Sequence, residues 1–360
     1  MKTAPIPYIA EAGFSVTRHG KPSGPPESWI QLASNESSFA ASPAAMEAVR
    51  RAIGEIHRYP EPSSSDLRNA IAARYDLPAE QIICGNGSEA VIETIYRCYA
   101  RPGDEVVFSR YSFIQFRIFA ERVGATAVLV DERDYTPDID ALLAAVTAKT
   151  KIVLLANPNN PTGTWLPRSE VRRLRDNLRP DIVLVLDAAY AEYAESEDFT
   201  AGHELVAGTE NVIVTRTFSK AFGLAGLRVG WAHGPLSMIR VLGRMKQIGN
   251  VNRLAQTAAI AALGDLAFVN DVVRTTSASR RRCAEALEEL GFPSLPSQGN
   301  FLCTRFPDAA AVHAFLLGQG IVVRPIEDYG LGDFLRITIG SDGEMDRLIA
   351  ALKQYRDEKG

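Results

Sequence analysis

Four short and almost unbroken apolar runs in the middle of the chain are each followed at once by polar side chains, and this pattern constrains the fold most. The runs lie in the segments QIICGNGSEA, KIVLLANPNNPTG, DIVLVLDAAY and NVIVTRTFSK. Short β-branched runs without alternation are typical of parallel strands that are buried on both faces. The carboxyl ends of such strands meet at one edge of the sheet, where ligands bind. We therefore predict that the four polar clusters converge on one small molecule.

The rest of the chain predicts two folded units and a short arm. Helical patterns such as SEAVIETIYRCYA and PRSEVRRLRDNL alternate with the strands, which is typical of a doubly wound α/β domain. Before the sheet, Ser42 followed by a proline is the expected N-cap of a helix. The C-terminal third is first helical and then alternates as in an α+β domain. We predict an arm at 1–30, a large domain with a mainly parallel sheet at 31–255 and a small domain at 256–360.

Composition and charge exclude several classes of function. The chain has 360 residues and a formal net charge of −4, so no basic face for nucleic acid is expected. No apolar run approaches the roughly 18 residues that a membrane span needs. The four cysteines are scattered, as reduced thiols of a cytoplasmic protein would be, and the five histidines lack the spacing of metal ligands. We expect a cytoplasmic protein without a metal site and without a nucleic-acid or membrane partner.

Lys220 follows the run NVIVTRTFS and is the strongest candidate for covalent chemistry. A lysine forms a Schiff base with an aldehyde when burial or a nearby cation lowers its pKa. Asp187 and Tyr190 end another strand, where the carboxylate is suited to a protonated ring nitrogen and the phenol to a ring oxygen. Two of these residues have an ordinary alternative: Lys220 as a solvated surface lysine, and Asp187 as a helix-capping or turn aspartate. Asn160 alone indicates only a turn, and it gains weight from its order in the chain with Asp187 and Lys220.

A phosphate site is predicted where the run QIICG leads into a helix. Free backbone N–H groups at a helix N-terminus bind phosphate, although a plain strand-to-helix turn has the same sequence pattern. The candidate donors are Gly87, Ser88, Glu89, Thr217, Ser219 and Arg228. Tyr111 follows the strand DEVVFS and is either a core aromatic or a side chain that stacks on a planar ring. Lysine, carboxylate and phosphate site together indicate pyridoxal 5′-phosphate.

Two arginines on predicted strands of the small domain are candidates for binding a substrate anion. Arg336 lies in FLRITIG and Arg324 in VVRPI. A single arginine between apolar residues is usually paired within the protein, but in a pocket its fork binds a carboxylate through two hydrogen bonds. Arg336 is the stronger of the two candidates.

The chain as a whole resembles the class I/II, fold-type I pyridoxal-phosphate aminotransferases, and most of all the histidinol-phosphate aminotransferases. The motifs that carry the resemblance occur in the family's order and span nearly the whole chain. They are PIPYIAEAG, LASNES, HRYPEP, GNGSEAVIE, NPNNPTG, LDAAY, TFSKAFGLAGLRVGW, GNFL, GIVVRP and LRITIG. Departures from the usual family sequence include Ser37 after Asn35-Glu36, and Ala188 where glutamate is common.

The resemblance implies a role for each matching residue. It places the Schiff base on Lys220, the ring-nitrogen carboxylate on Asp187, and the ring-oxygen contacts on Asn160 and Tyr190. It makes Tyr111 the stacking residue. It also implies a phosphate group at Gly87–Glu89, Thr217, Ser219 and Arg228, joined across a dimer interface by Tyr59, and substrate contacts at Arg336, Arg324, Asn35 and Tyr8. A homodimer with shared active sites follows from the same resemblance.

The reaction that the resemblance implies is a ping-pong transamination. An amino group passes from histidinol phosphate, or a similar donor, to a 2-oxo acid such as 2-oxoglutarate. Three alternatives stay open at this point. An aromatic amino-acid aminotransferase would share every cofactor residue, and a threonine-phosphate decarboxylase would use the same lysine to release carbon dioxide. A regulator with an aminotransferase-like sensor domain would need an added DNA-binding module.

Overall fold

The structure is a computed structural model that describes residues 5–13, 20, 22–25 and 28–359. Its helices are α1 (Pro7–Glu11), α2 (Pro43–Ala52), α3 (Ser65–Tyr75), α4 (Ser88–Tyr99), α5 (Gln115–Arg122), α6 (Ile139–Ala144), α7 (Arg168–Asn177), α8 (Leu236–Met245), α9 (Arg253–Gly264), α10 (Leu266–Glu289), α11 (Ala309–Gly318) and α12 (Asp342–Lys359). Its strands are β1 (Ile30–Leu32), β2 (Ile82–Gly85), β3 (Glu105–Ser109), β4 (Thr126–Val130), β5 (Thr150–Ala156), β6 (Val183–Asp187), β7 (Val212–Thr217), β8 (Gly230–His233), β9 (Phe301–Arg305), β10 (Ile321–Pro325) and β11 (Phe334–Thr338).

Seven strands form the large sheet, in the order β2-β8-β7-β6-β5-β3-β4. All neighbouring pairs are parallel except those that β8 makes with β2 and β7. The predicted mainly parallel sheet is therefore confirmed. The register places Asp187 beside Ala156 on one side and Thr215 on the other, so the ends of β5, β6 and β7 lie next to each other.

Both faces of the large sheet are buried, which explains the unbroken apolar runs. Alternate residues of β5 enter different cores: Ile152 and Leu154 pack with α4, α5 and α8, while Val153 and Leu155 pack with α6 and α7. A strand with helices on both sides requires apolar residues at every position. The doubly wound fold class is confirmed by this arrangement.

The second sheet has four strands in the order β1-β10-β11-β9. Strands β9, β10 and β11 pair antiparallel, and helices α11 and α12 cover one face with Leu316 and Leu348. The register sets Arg324 opposite Arg336. Strand β1 runs parallel to β10, with Ile30 opposite Ile321.

The predicted division into an arm and two domains stays a prediction, but contacts at both junctions differ from the predicted boundaries. Strand β1 belongs by its hydrogen bonds to the small sheet, whereas the large domain was predicted to begin at residue 31. Helix α9 crosses the other predicted boundary, and its buried face, including Ala258 and Ala262, packs in the same core as Leu67 and Trp231. Contacts between residues far apart in sequence therefore determine which sheet or core β1 and α9 join.

Local signals position the elements around the sheet ends. The side chain of Ser42 accepts a hydrogen bond from the Ala45 N–H, which is the N-cap that we predicted for α2. Within the described part of the chain, no helix is long and apolar enough to cross a membrane. No group of three or more potential metal-binding His, Cys, Asp or Glu side chains occurs among the same residues.

Candidate active site

A cavity of about 410 Å³ opens at the carboxyl ends of β5, β6 and β7, next to the N-terminus of α4. The structure brings twelve of the predicted site residues to its wall: Asn35, Gly87, Ser88, Glu89, Asn160, Asp187, Tyr190, Thr217, Ser219, Lys220, Arg228 and Arg336. These residues are separated by up to 301 positions in sequence, from Asn35 to Arg336, and include strand residues of both sheets, such as Asp187 and Arg336. The predicted convergence at one edge of the sheet is what the structure shows.

Lys220 enters the cavity from the loop that follows β7. Its Nζ atom donates hydrogen bonds to the carbonyl oxygens of Asn35 at 3.1 Å and Ser34 at 3.4 Å, and lies 5.6 Å from the centre of the Tyr190 ring. Burial lowers the pKa of the Lys220 amine to about 7, and the positive charge of Arg336 adds to the effect. Near pH 7 the Lys220 amine is therefore neutral in a large share of the molecules, and the neutral amine is the form that attacks a carbonyl carbon.

Asp187 is the last residue of β6 and lies at the floor of the cavity. One carboxylate oxygen accepts a hydrogen bond from the Thr215 hydroxyl at 2.9 Å. Burial raises the pKa of this carboxyl to about 6, although the Thr215 bond and the Ala189 N–H oppose the shift. No salt bridge to a described residue compensates the charge. A buried carboxylate of this kind is stabilised by a cationic partner, such as a protonated ring nitrogen.

The N-terminus of α4 and the Arg228 side chain form an anion site at one end of the cavity. Gly87 precedes the helix with φ of +87°, and a Cβ atom there would lie 2.9 Å from an Arg228 nitrogen. Only glycine therefore allows the guanidinium to lie this close to the helix end. The first N–H groups of α4 have no partner within the helix, and the hydroxyls of Thr217 and Ser219 line the same wall. The arrangement suits a phosphate group.

Arg336 forms another part of the cavity wall and is a buried cation without a salt bridge to any described carboxylate. It donates to Asn160 Oδ1 and to the Ala33 carbonyl oxygen, each at 2.7 Å, while its Nε atom is buried without a hydrogen-bond partner. Only 7% of the residue is exposed, and burial lowers its pKa. A guanidinium in this state favours an anion in the cavity because the ion would restore the missing charge and hydrogen bonds.

Tyr111 does not line the cavity, in contrast to the predicted stacking position. Its ring packs against Tyr135 with 6.1 Å between ring centres, and its carbonyl oxygen accepts a hydrogen bond from Asn159. Phe113, two residues later, lines the cavity instead and makes an edge contact with Phe116. Both aromatics lie on the irregular loop between β3 and α5, so no strand or helix period shows which of them faces the site.

The remaining three predicted site residues also lie outside the cavity wall of this chain. Arg324 is buried but forms an ion pair with Asp328 at 2.5 Å, which satisfies its charge away from the cavity. Tyr8 lies in α1 and lines a separate cavity beside α5. Tyr59 is 96% exposed. Nine further wall residues were not predicted. They are the carboxylate residue Glu36 and Ser34, Ile92, Phe113, Ala156, Pro158, Ala189, Ala225 and Gly226.

The residues present fit pyridoxal 5′-phosphate on three independent grounds. Lys220 offers an amine with a pKa lowered to about 7, Asp187 offers a buried carboxylate without a salt bridge to a described residue, and the N-terminus of α4 offers N–H donors without a side-chain cap. The cofactor has an aldehyde, a basic ring nitrogen and a phosphate, one for each group. Its planar ring also matches a cavity that carries an aromatic side chain, Phe113, on its wall.

Comparisons with known proteins support the same cofactor. The family model described as aminotransferase class I and II matches residues 27–352. The chain is 47% identical over 331 residues to a histidinol-phosphate aminotransferase of Paramagnetospirillum magneticum, covering 91% of each chain. It is 46% identical over 337 residues to the enzyme of that name from Rhodospirillum rubrum, covering 92% of this chain and 91% of the relative.

Solved structures match over the same length. The histidinol-phosphate aminotransferase of Sinorhizobium meliloti, in complex with pyridoxal 5′-phosphate, superposes with a TM-score of 0.89 and 30% identity. The match covers 100% of this chain and 99% of the other. The L-threonine-O-3-phosphate decarboxylase of Porphyromonas gingivalis superposes with a TM-score of 0.80 at 23% identity, covering 91% and 99%, so the likeness there is one of fold.

Proposed function

Because this chain belongs to the class I and II aminotransferases, we propose that it transfers the amino group of histidinol phosphate to 2-oxoglutarate. It is a transaminase that depends on pyridoxal 5′-phosphate. The observation that carries the choice of substrates is the buried guanidinium of Arg336, which lines the cavity and has no anionic partner in the part of the chain that the structure describes. Histidinol phosphate brings a phosphate and 2-oxoglutarate brings a carboxylate, and the arginine fork binds either group.

Different cavity residues would bind different parts of the cofactor, according to their chemistry. Lys220 would hold its aldehyde carbon and Asp187 its ring nitrogen. The phosphate would lie on the N-terminus of α4, with Arg228 and the nearby hydroxyls. Phe113 would contact the face of the ring, in place of the predicted Tyr111. Bound in this way, the cofactor supplies an electron sink for the carbon that carries the amino group.

The residues of the chain then control protons and orientation. The Nζ atom of Lys220, neutral above about pH 7, is the base that takes a proton from the carbon bearing the donor's amino group. Asp187 is ionised above about pH 6 and would then hold a proton on the ring nitrogen of the bound cofactor. Arg336 fixes the anionic end of each substrate, so the same carbon faces Lys220 in both half-reactions.

Amino-donor selectivity is the direct test of this proposal. We expect kcat/KM with 2-oxoglutarate to be at least about 10-fold higher for histidinol phosphate than for phenylalanine, because a phosphate offers the buried guanidinium more negative charge and one more acceptor oxygen than the carboxylate of phenylalanine does. Tyrosine and O-phosphothreonine complete the set, and carbon dioxide is measured with the last. Faster turnover of phenylalanine would favour an aromatic aminotransferase, and carbon dioxide release a decarboxylase.

The two arginines give an internal comparison within the same test. Arg336→Gln should lower kcat/KM for both substrates by roughly 10²-fold, the value of a charge-assisted hydrogen-bond pair. Arg324→Gln is the matched control, because its charge is already paired with Asp328 outside the cavity wall. An equal or larger loss in the Arg324 variant would show that the substrate anion binds elsewhere.

Cofactor loading should depend on pH through Lys220. The rate at which cofactor-free protein acquires the visible absorbance should rise as the pH passes through about 7, because the amine loses its proton there. Arg336→Gln should move this midpoint to higher pH, since a neighbouring positive charge that lowers the lysine pKa is removed. Stopped-flow absorbance measures both rates. A loading rate that is flat across this range would contradict the assignment.

We also propose that the enzyme is a homodimer with shared active sites. Large apolar side chains are exposed around Tyr59, including Ile53 at 57%, Ile56 at 67% and Ile248 at 90%. Exposed apolar patches of this kind mark interaction surfaces, and a second copy of the chain would cover this one. Tyr59, exposed here, would then reach the phosphate site of the partner. We further propose a cytoplasmic location, since all four cysteines are unpaired thiols.

Mixed dimers test the shared site. Lys220→Ala and Tyr59→Phe chains should each be impaired, the second through roughly 10-fold weaker cofactor binding because one hydrogen bond to a charged phosphate is lost. If Tyr59 serves the partner's site, a hybrid of the two mutant chains contains one site with both changes and one with neither. Tyr355→Phe is the control. A monomer in sedimentation that is fully active would refute the dimer.

A further inference from the structure

Asn35 is buried at the cavity wall in a backbone conformation that is unusual for a residue with a side chain. Its φ is +52°, in the left-handed region, and only 1% of the residue is exposed. This conformation persists where surrounding interactions hold the residue in place, and such residues concentrate at functional sites. Asn35 was predicted from the resemblance as a substrate contact, but its polar atoms are already bonded within the protein.

Thr338, on β11 of the small sheet, fixes the orientation of the Asn35 amide. The Thr338 hydroxyl oxygen accepts the backbone N–H of Asn35 at 2.9 Å and donates its own proton to Asn35 Oδ1 at 3.1 Å. The hydroxyl has one proton, and it is used in the second bond. The oxygen of the amide therefore faces Thr338, and the nitrogen faces the other way.

The amide nitrogen of Asn35 donates to the phenol oxygen of Tyr190 at 2.9 Å. An amide N–H only donates, so the phenol oxygen is the acceptor in this bond and its own O–H is left to donate elsewhere. Tyr190 lines the cavity and is 5% exposed. We infer that Asn35 is a positioning residue that directs the Tyr190 proton into the cavity, toward the ring oxygen of the cofactor; this inference rests on the proposed function.

The backbone of Asn35 completes the arrangement. Its carbonyl oxygen accepts hydrogen bonds from Lys220 Nζ and from Asn300 Nδ2, each at 3.1 Å. The amide and the carbonyl of one residue thus touch both the phenol and the lysine of the site. Asn300 and Thr338 connect the same residue to the small sheet, so the two side chains are positioned against a common fixed point.

A purely structural role for Asn35, in which it only connects the N-terminal segment to the small sheet, predicts a different result. If Asn35 only connects the two segments, replacing it should have the same effect with or without the Tyr190 hydroxyl. If Asn35 orients the phenol, replacing it should have no effect once the hydroxyl has been removed. A double-mutant comparison with Tyr190→Phe therefore separates the two roles.

The variant that removes only the amide is Asn35→Gly. Glycine accepts a φ of +52° without strain and leaves the carbonyl in place for Lys220 and Asn300. The measurement is the pH titration of the visible absorbance of cofactor-loaded protein, which needs no amino donor. A directed phenol proton withdraws electron density from the ring oxygen. Without it the nitrogen joined to Lys220 keeps its proton to higher pH, and we expect the midpoint to rise by about half a pH unit or more.

In the Tyr190→Phe background, Asn35→Gly should leave that midpoint unchanged. Thr338→Val is a second variant that keeps Asn35 but frees its amide, and it should shift the midpoint in the same direction as Asn35→Gly. No shift in either variant, or an equal shift in the Tyr190→Phe background, would overturn the inference. Absence of histidinol-phosphate turnover with the shifts intact would instead refute the proposed substrate alone.

Discussion

Lys220→Ala should lower turnover by at least about 10⁴-fold, since the side chain provides both the covalent attachment and the base. The buried amine lies in the cavity with its pKa lowered to about 7, and no other described lysine lines that wall. The variant should also lose the visible absorbance of the bound cofactor. Steady-state rates and absorbance spectra measure the two effects.

Lys246→Ala is the matched control for this result. The Lys246 amine is also partly buried, and burial also lowers its pKa, but it donates to the Pro62 carbonyl oxygen outside the cavity. Activity should therefore persist in the control. Borohydride reduction of the loaded enzyme followed by peptide mapping should find the label on Lys220. A label on Lys246 or any other lysine would show that the attachment point is wrongly assigned.

Asp187→Asn should retain the cofactor and lose roughly 10²- to 10³-fold in kcat, because a neutral amide cannot stabilise a proton on the ring nitrogen. The pH dependence of activity is an independent test of this role. The carboxyl has a raised pKa of about 6, so activity that depends on its ionised form falls as the pH drops through about 6. The Asn variant should lack this dependence.

Asp181→Asn tests the same type of side chain at the opposite end of β6. Asp181 is exposed and pairs with Arg179 and Lys151, so its removal should change stability slightly and activity not at all. Near-normal turnover in Asp187→Asn would indicate that another group holds the ring nitrogen protonated. The two variants make the same chemical change near opposite ends of β6. A difference in their activity therefore reports the position of the carboxylate.

The large sheet and the floor of the site follow from the sequence because parallel strands bring their carboxyl ends together. Asp187 and Lys220 end or follow neighbouring strands, so recognising the strands places both side chains at one edge. The phosphate site can also be predicted from the sequence, because Gly87 and Ser88 connect a strand directly to the helix that provides the N–H groups.

Other features depend on contacts that a linear pattern does not contain. Phe113 and Tyr111 share a loop, in which Tyr111 packs against Tyr135 and Phe113 lines the cavity. Arg324 lies on an expected strand, but the turn that follows supplies Asp328 and pairs its charge. Strand β1 has only three residues, too few for a period, and its partner β10 lies almost 300 residues later.

The most direct measurement mixes cofactor-loaded enzyme with histidinol phosphate alone, without any acceptor. If the proposed function is right, the visible absorbance disappears in a single turnover, with one equivalent of amino group transferred per chain, and returns when 2-oxoglutarate is added. Lys220→Ala should show neither change. Unchanged absorbance in the parent enzyme with histidinol phosphate, together with a full response to phenylalanine, would contradict the proposed function.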